Sequence, residues 1–242
     1  MSTTLLITTR NRTPLLRKSL SRLLLLTPPD EIIVVDDGGD DGCDEACWQL
    51  TRKGLPITYL YLDRPYDSNP CLPRNMGIKL AKGDEILVSE PEVLFLSDVI
   101  AQLTEARKEL PDNPLFGGTY HADQEYANAY PVPPPPAHHT PPLSTLVVQY
   151  PHYTLYRREW LEEVGGYDES LPGSWAFDDV DLNQRLGEAG HFTVLISGAR
   201  AFHQWHEPRN NAAQADLNEA VVRSKVWPRD IVANAGREWG IA

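Results

Sequence analysis

The chain has 242 residues, enough to bury a sizeable core in one domain, and its 41% apolar and 23% charged residues are ordinary for a soluble globular protein. A net charge of −12 argues against non-specific attraction to nucleic acid or to an anionic membrane. Cys43, Cys47 and Cys71 are too few for a disulfide framework and lack the second close pair of a zinc site; no apolar run reaches membrane-spanning length.

A soluble, cytoplasmic protein with reduced thiols is therefore expected, since Leu5-Leu6-Ile7 is also too short for a signal peptide. Thr3 to Thr9 reads as a first strand, and Leu15, Leu16, Leu20, Leu23 and Leu24 recur at helical spacing from Pro14 to Leu26, with Pro28 and Pro29 closing that helix. Glu31 to Val35 is a continuous apolar run of the kind found in buried parallel strands, ending at the turn Asp36-Asp37-Gly38-Gly39-Asp40-Asp41-Gly42. A helix over 44–53, a strand over 57–62, a helix over 74–82 closed by Gly83 and a strand over 85–88 follow. This alternation predicts an α/β fold, a mostly parallel sheet with helices on both faces, whose ligands gather at the carboxyl ends of the strands.

The second half is less regular. Pro131 to Pro142, "PVPPPPAHHTPP", is an extended loop, Leu143 to Tyr156 returns to strand-like composition, and Glu159 to Val164 is helical until Gly165-Gly166 breaks it. Leu182, Leu186 and Ala189 mark the buried face of a helix ending at Gly190, Phe192 to Ile196 is strand-like before a Gly-containing turn, and a helical tail runs from Ala212 to Trp227.

Four clusters along this frame carry chemistry. Glu90 and Glu92 flank Pro91 at a strand end, and carboxylates there suit a hard divalent ion such as Mn²⁺ or Mg²⁺, although acidic turns are common without one. Asp178, Asp179 and Asp181 open a helix beside Trp175 and Phe177. Acids suit the positive end of a helix dipole, but three exceed what a cap needs, and an apolar wall can raise a carboxylate's pKa enough to make it a base. His203 and His206 are three apart and can share one side of a turn as metal ligands or as ordinary half-buried histidines. Arg10, Arg12 and Arg74 are counter-charges for phosphate, while the aspartates of the 36–42 turn suit hydrogen bonding to a base or ribose.

Together, "LLITTRNRTPLLRKSLSRLL", "EIIVVDDGGDDG", "PRNMGIKLAKGDEILVSEPEVLF", "GGYDESLPGSWAFDDVDLNQRLGEAG" and "FHQWHEP" resemble, in order, the motifs of the family 2 glycosyltransferases. The resemblance implies one GT-A domain, a Rossmann-like fold. It would comprise a nucleotide-sugar-binding half (1–98), an acceptor and catalytic half (99–208) carrying the Pro-rich loop, and a helical tail (209–242). It implies that Thr8, Arg10 and the Asp36-Asp37 pair hold the nucleoside, with Thr9, Arg12, Arg74 and Asn75 in the same nucleotide-sugar set. Glu90 and Glu92 fall on the family's Asp-x-Asp metal position, with Glu-Pro-Glu in its place, and His203 and then His206 are the further metal ligands. Asp179 is implied as general base, with Asp178, Asp181 and Trp175 toward the acceptor or sugar.

The expected reaction is inverting transfer of a sugar from a nucleoside-diphosphate donor, a UDP-sugar first, to a hydroxyl of unassigned class. The net charge makes a nucleic-acid acceptor unattractive, and no membrane insertion is expected. A nucleotidyltransferase, or a non-catalytic sugar-nucleotide or glycan-binding module, is the alternative on the same fold.

Overall fold

The computed structural model describes residues 1–65, 68–121, 152–207 and 211–241, so the Pro-rich stretch 131–142 lies outside the described residues. The first half alternates as expected: β1 (Thr3–Thr9), α1 (Thr13–Leu23), β2 (Glu31–Asp36), α2 (Cys43–Thr51), β3 (Ile57–Tyr61), α3 (Cys71–Leu80) and β4 (Glu85–Ser89). After it come β5 (Val93–Phe95), α4 (Val99–Ala106), β6 (Leu115–His121), β7 (Tyr153–Arg157), α5 (Arg158–Glu163), α6 (Asp178–Glu188), β8 (Val194–His203) and α7 (Ala212–Ser224).

These strands form one sheet in the order β3-β2-β1-β4-β7-β6-β8-β5. β3, β2, β1 and β4 are mutually parallel, whereas β7 enters antiparallel to both β4 and β6, and β5 is antiparallel to β8. The reversed direction of β7 sets its start beside the end of β4, with Ser89 opposite Tyr153.

Strand alternation sends side chains to two cores. Leu5 and Ile7 of β1 pack with Leu16, Leu20 and Leu23 of α1 and with Cys43, Cys47 and Leu50 of α2. Leu6 points the other way, into Ile78 of α3, Leu161 of α5, Leu182 and Leu186 of α6 and Val222 of α7. The three cysteines are free and buried in these cores. Among the described residues no helix is long and apolar enough to cross a membrane.

Several boundaries differ from the expectation. α1 stops at Leu23 because the apolar run outlasts its buried face: Leu24 and Leu25 are exposed. α3 begins at Cys71, where the Asn69 side chain accepts the Cys71 N–H at 2.6 Å, and Pro73 is tolerated in its first turn. The turn expected after Ile196 is instead a bulge within β8. Ile196 pairs with Gly117 and Arg200 with the next residue, Gly118, so the strand continues to His203. The helical tail ends at Ser224, short of Trp227.

Candidate active site

The carboxyl ends of β1, β2 and β4 open on one edge of the sheet, and the 36–42 turn shapes the first part of it. Asp36 is buried, with Oδ1 accepting the Gly39 N–H at 2.8 Å and Oδ2 accepting the Tyr59 hydroxyl at 3.0 Å. A side chain at Gly39 would put Cβ 2.6 Å from Asp36 Oδ1, so only glycine permits this closure. Asp37 pairs with Arg64 at 2.9 Å, and Asp41 accepts both the N–H and the hydroxyl of Thr13, at 2.8 and 2.6 Å, at the start of α1. Burial raises the pKa of Asp36 and Asp37 against the pull of their donors and of Arg10. The aspartates of this turn thus spend much of their charge on local structure, which lessens the repulsion a diphosphate would meet.

Arg10 donates to the carbonyls of Pro65 and Arg64 at 2.8 and 3.1 Å, and Thr8 is half-buried beside it. Thr9 is buried, and its Oγ1 has no hydrogen-bond partner among the described residues. Arg12 lies near enough to Glu92 and His206 to shift both electrostatically, so it faces the glutamate–histidine cluster at the ends of β4 and β8.

Arg74 and Asn75, neighbours on α3, have different fates. Arg74 pairs with Asp178 and lies over the Tyr167 ring, 5.1 Å from its centroid. Asn75 has no exposed surface: Nδ2 donates to Tyr167 O and Glu169 Oε1, each at 2.8 Å, and Oδ1 accepts the Tyr167 N–H at 2.8 Å. It therefore staples α3 to the Gly165-Gly166-Tyr167 turn instead of reaching a nucleotide.

The acid pair is delivered by a strained turn. Ala176 and Phe177 both have positive φ, 63° and 68°, immediately before Asp178 and Asp179 begin α6. Non-glycine residues in this region cost energy and concentrate at functional sites. Asn218 of α7 holds the turn by donating to the carbonyls of Trp175 and Ala176 at 3.2 and 2.8 Å. Trp175 itself is 41% exposed at the rim.

Asp179 is half-buried, with Oδ1 accepting the Val180 N–H at 2.8 Å. Burial raises its pKa and the charge of Glu90 adds to the rise, against the opposing pull of Arg74 and the Val180 N–H. Asp181 does not join it. Fully buried one turn inward, it pairs with Arg185 at 2.8 Å and with Lys225, and it braces α6 and α7 with no surface for an acceptor.

The strand ends then bring carboxylates and imidazoles together. His206 Nε2 lies 3.0 Å from Glu92 Oε1, and His203 Nε2 lies 3.7 Å from Glu92 Oε1 and 3.8 Å from Glu90 Oε2. A fifth residue was not legible in the sequence: His152 Nδ1 sits 2.7 Å from Glu90 Oε2, and its ring centroid is 4.6 Å from that of His203. The register places it there, because one step beyond the Ser89–Tyr153 pair sets His152 against Glu90. Two overlapping groups, Glu90-His152-His203 and Glu92-His203-His206, each have ligand atoms within 4.8 Å of one another.

The turn carrying the glutamates is clamped from behind. Ser19 Oγ donates to Pro91 O at 2.9 Å, and the Gln204 backbone N–H and side-chain Nε2 both donate to Glu92 O, at 3.0 and 3.2 Å. Glu92 is 8% exposed, and its Oε2 is buried with no hydrogen-bond partner among the described residues. Burial works to raise its pKa, but His206, Arg12 and His203 outweigh that and leave it below the usual value. An ionised buried carboxylate with a spare oxygen beside the imidazoles of His203 and His206 fits a divalent ion.

Residues 4–165 match the sequence profile of Glycosyl transferase family 2. The chain belongs to glycosyltransferase family 2. Among its relatives, a chondroitin synthase of Pasteurella multocida is 23% identical, the match covering 76% of this chain and 23% of that protein. Solved structures place this family 2 chain in the GT-A fold. The mannosyltransferase PcManGT from Pyrobaculum calidifontis, in complex with GDP-Man and Mn²⁺, superposes with a TM-score of 0.66 at 16% identity, over 94% of this chain and 66% of that one. S. aureus TarS does so at 0.62 and 16% identity, over 85% and 37%; its 1–349 segment is also solved with UDP-GlcNAc. The family 2 chain thus spans about a quarter of the chondroitin synthase and little more than a third of TarS.

Proposed function

We propose that this protein transfers a sugar from a nucleoside-diphosphate donor to a hydroxyl acceptor with inversion at the anomeric carbon. One observation carries the reading. Asp179 opens α6 next to Asp178, which pairs with Arg74, and the charges of Arg74 and Glu90 both act on it. A carboxylate, a guanidinium and the glutamate–histidine cluster therefore lie at one end of the sheet. Family membership and the GDP-Man and UDP-GlcNAc bound in the similar structures support the donor class, with a UDP-sugar as first candidate.

In this reading the end of β1 and the 36–42 turn receive the nucleoside, with Thr8, Thr9, Arg10 and Asp37 as the contacts. Arg74, held by Asp178, presents its guanidinium toward the diphosphate. The acceptor lies over Trp175, and its hydroxyl oxygen attacks the anomeric carbon while the proton passes to the Asp179 carboxylate. The bond from that carbon to the diphosphate oxygen breaks on the opposite face. A divalent ion held by Glu90, Glu92, His203 and His206, when bound, supplies Lewis-acid neutralisation of charge on the departing diphosphate. Fixing donor and acceptor against rigid strand ends lowers the barrier further by orientation.

Incubation with a panel of nucleotide sugars, simple saccharide acceptors and Mn²⁺ tests the reading. Release of nucleoside diphosphate with a glycosylated acceptor is expected. Release of pyrophosphate, or donor binding without turnover across the panel, would overturn it.

A further inference from the structure

We propose that His152 is a metal ligand, and that the cluster it completes takes a borderline transition ion such as Co²⁺, Zn²⁺, Fe²⁺ or Mn²⁺ while discriminating against Mg²⁺. The inference rests on the metal-binding part of the proposed function, and not on the reaction.

The donor set is the first ground. Three imidazoles and two carboxylates meet here, in groups whose ligand atoms lie within 4.8 Å of one another. Mg²⁺ demands near-octahedral oxygen ligands and gives up its waters reluctantly, whereas imidazole nitrogen suits the later first-row divalent ions. Two carboxylates with three neutral imidazoles also balance a charge of +2 without further groups.

Preorganisation is the second. His152 is fixed by the β4–β7 ladder, with five consecutive paired positions leading up to it, and His203 is the last residue of β8, paired with Val93 of β5. The His206 Nδ1 donates to the Glu207 carbonyl at 3.0 Å, which orients the ring with Nε2 toward Glu92. Ser19 and Gln204 lock the backbone that carries Glu92. A spare, buried Glu92 Oε2 faces no protein donor among the described residues, and a cation satisfies it.

His203 belongs to both groups, so an ion seated toward Glu90 engages His152 and one seated toward Glu92 engages His206. The proposed ion occupies the first seat, so removing His152 weakens its binding directly, whereas an ion confined to the Glu92 seat would be untouched by the substitution.

The test is direct binding to the whole chain, by calorimetry and by the visible spectrum of Co²⁺, without nucleotide and again with UDP. Bound Co²⁺ is expected to show the stronger visible bands of a low-coordinate, nitrogen-containing site, to resist about a hundredfold excess of Mg²⁺, and to yield to Zn²⁺. His152→Ala and, as a check against misfolding, His152→Asn are expected to weaken Co²⁺ binding about tenfold or more and to alter its spectrum while both melt cooperatively. Displacement of Co²⁺ by comparable Mg²⁺, wild-type binding by both variants, or no ion bound with or without UDP would each overturn the proposal. Ion binding as expected without release of nucleoside diphosphate from any donor would leave it standing and remove the transferase reading instead.

Discussion

The Asn218 side chain grips Gly173 at both ends: Oδ1 accepts the Gly173 N–H at 2.7 Å and Nδ2 donates to the Gly173 carbonyl at 3.2 Å. Gly173 is required for that approach, because a Cβ there would lie 2.2 Å from the Gln214 carbonyl oxygen. The Gln214 side chain adds a bond to the Ser174 N–H at 3.0 Å. Helix α7, outside the matched family region, thereby holds the segment that aims Asp178 and Asp179.

Removing this hold should separate stability from turnover. Asn218→Ala strands buried peptide groups and is expected to cost about 2 kcal/mol of stability. The left-handed turn at Ala176 and Phe177 then relaxes, and kcat should fall about tenfold or more with little change in the donor KM. Steady-state kinetics beside thermal melting would check this. An unchanged kcat in a destabilised protein would make Asn218 purely structural.

Asp179 makes a prediction with a definite sign. Its folded pKa is raised by burial, so between the unfolded value of 3.8 and the raised value the native state holds more protons than the unfolded one. Stability therefore declines as pH rises through that window, and the penalty is complete above it. Asp179→Asn removes the penalty and should raise Tm at neutral pH while abolishing sugar transfer. Donor binding, followed by calorimetry, should persist. Near-normal turnover by this variant would sink the base assignment. In the wild type, turnover should fall as pH drops through the raised pKa, because only the ionised carboxylate takes a proton.

Why some of the fold and site was legible and some not depends on the physics of each segment. β1 and β2 announce themselves because Leu5 to Ile7 and Ile32 to Val35 are buried on both faces, and α6 because Leu182 and Leu186 share one stripe. β5 has only three residues, and β6 contains Gly117-Gly118, which reads as a turn when its bulged pairing with β8 is unknown. Glu90, Glu92, His203 and His206 could be suspected as a set from residue type. His152 could not, because its place depends on a strand register across 62 residues of sequence. Asp181 and Asn75 carry the right chemistry for a site but face the wrong way. A motif reports residue type, and only packing reports direction.

The Gly165-Gly166 pair offers a test of the staple between α3 and the turn before the acid segment. Gly166 has φ of 68°, and a Cβ there would lie 2.5 Å from Asn75 Oδ1, the atom that accepts the Tyr167 N–H. Gly166→Ala therefore combines backbone strain with a lost buried hydrogen bond and should cost roughly 3 kcal/mol. Gly187→Ala, whose Cβ would meet nothing closer than 3.9 Å on α6, should be neutral or slightly stabilising by helix propensity. Denaturant melts of the two variants compare them directly.

Lys225 tests how the tail supports α6. Its ammonium pairs with Asp168 at 2.7 Å and with Asp181, and all three side chains are largely buried. Burial works to raise the Asp168 pKa, but Lys225 and the two bonds from Ser170 outweigh it and leave it below 3.8. A depressed folded pKa contributes stability that is present above the unfolded value and is lost as pH falls through the folded one. Lys225→Met leaves Asp168 without its cation and loosens Asp181, which keeps Arg185 at 2.8 Å. The variant should lose about 3 kcal/mol at neutral pH, the cost of breaking a buried pair from one side. It should also show a shallower loss of stability below pH 3.8 than the wild type, because Asp168 no longer releases that contribution on protonation. Chemical denaturation from pH 3 to pH 7 distinguishes the outcomes: equal loss at every pH would mean that Lys225 acts through packing of its alkyl chain and not through its charge.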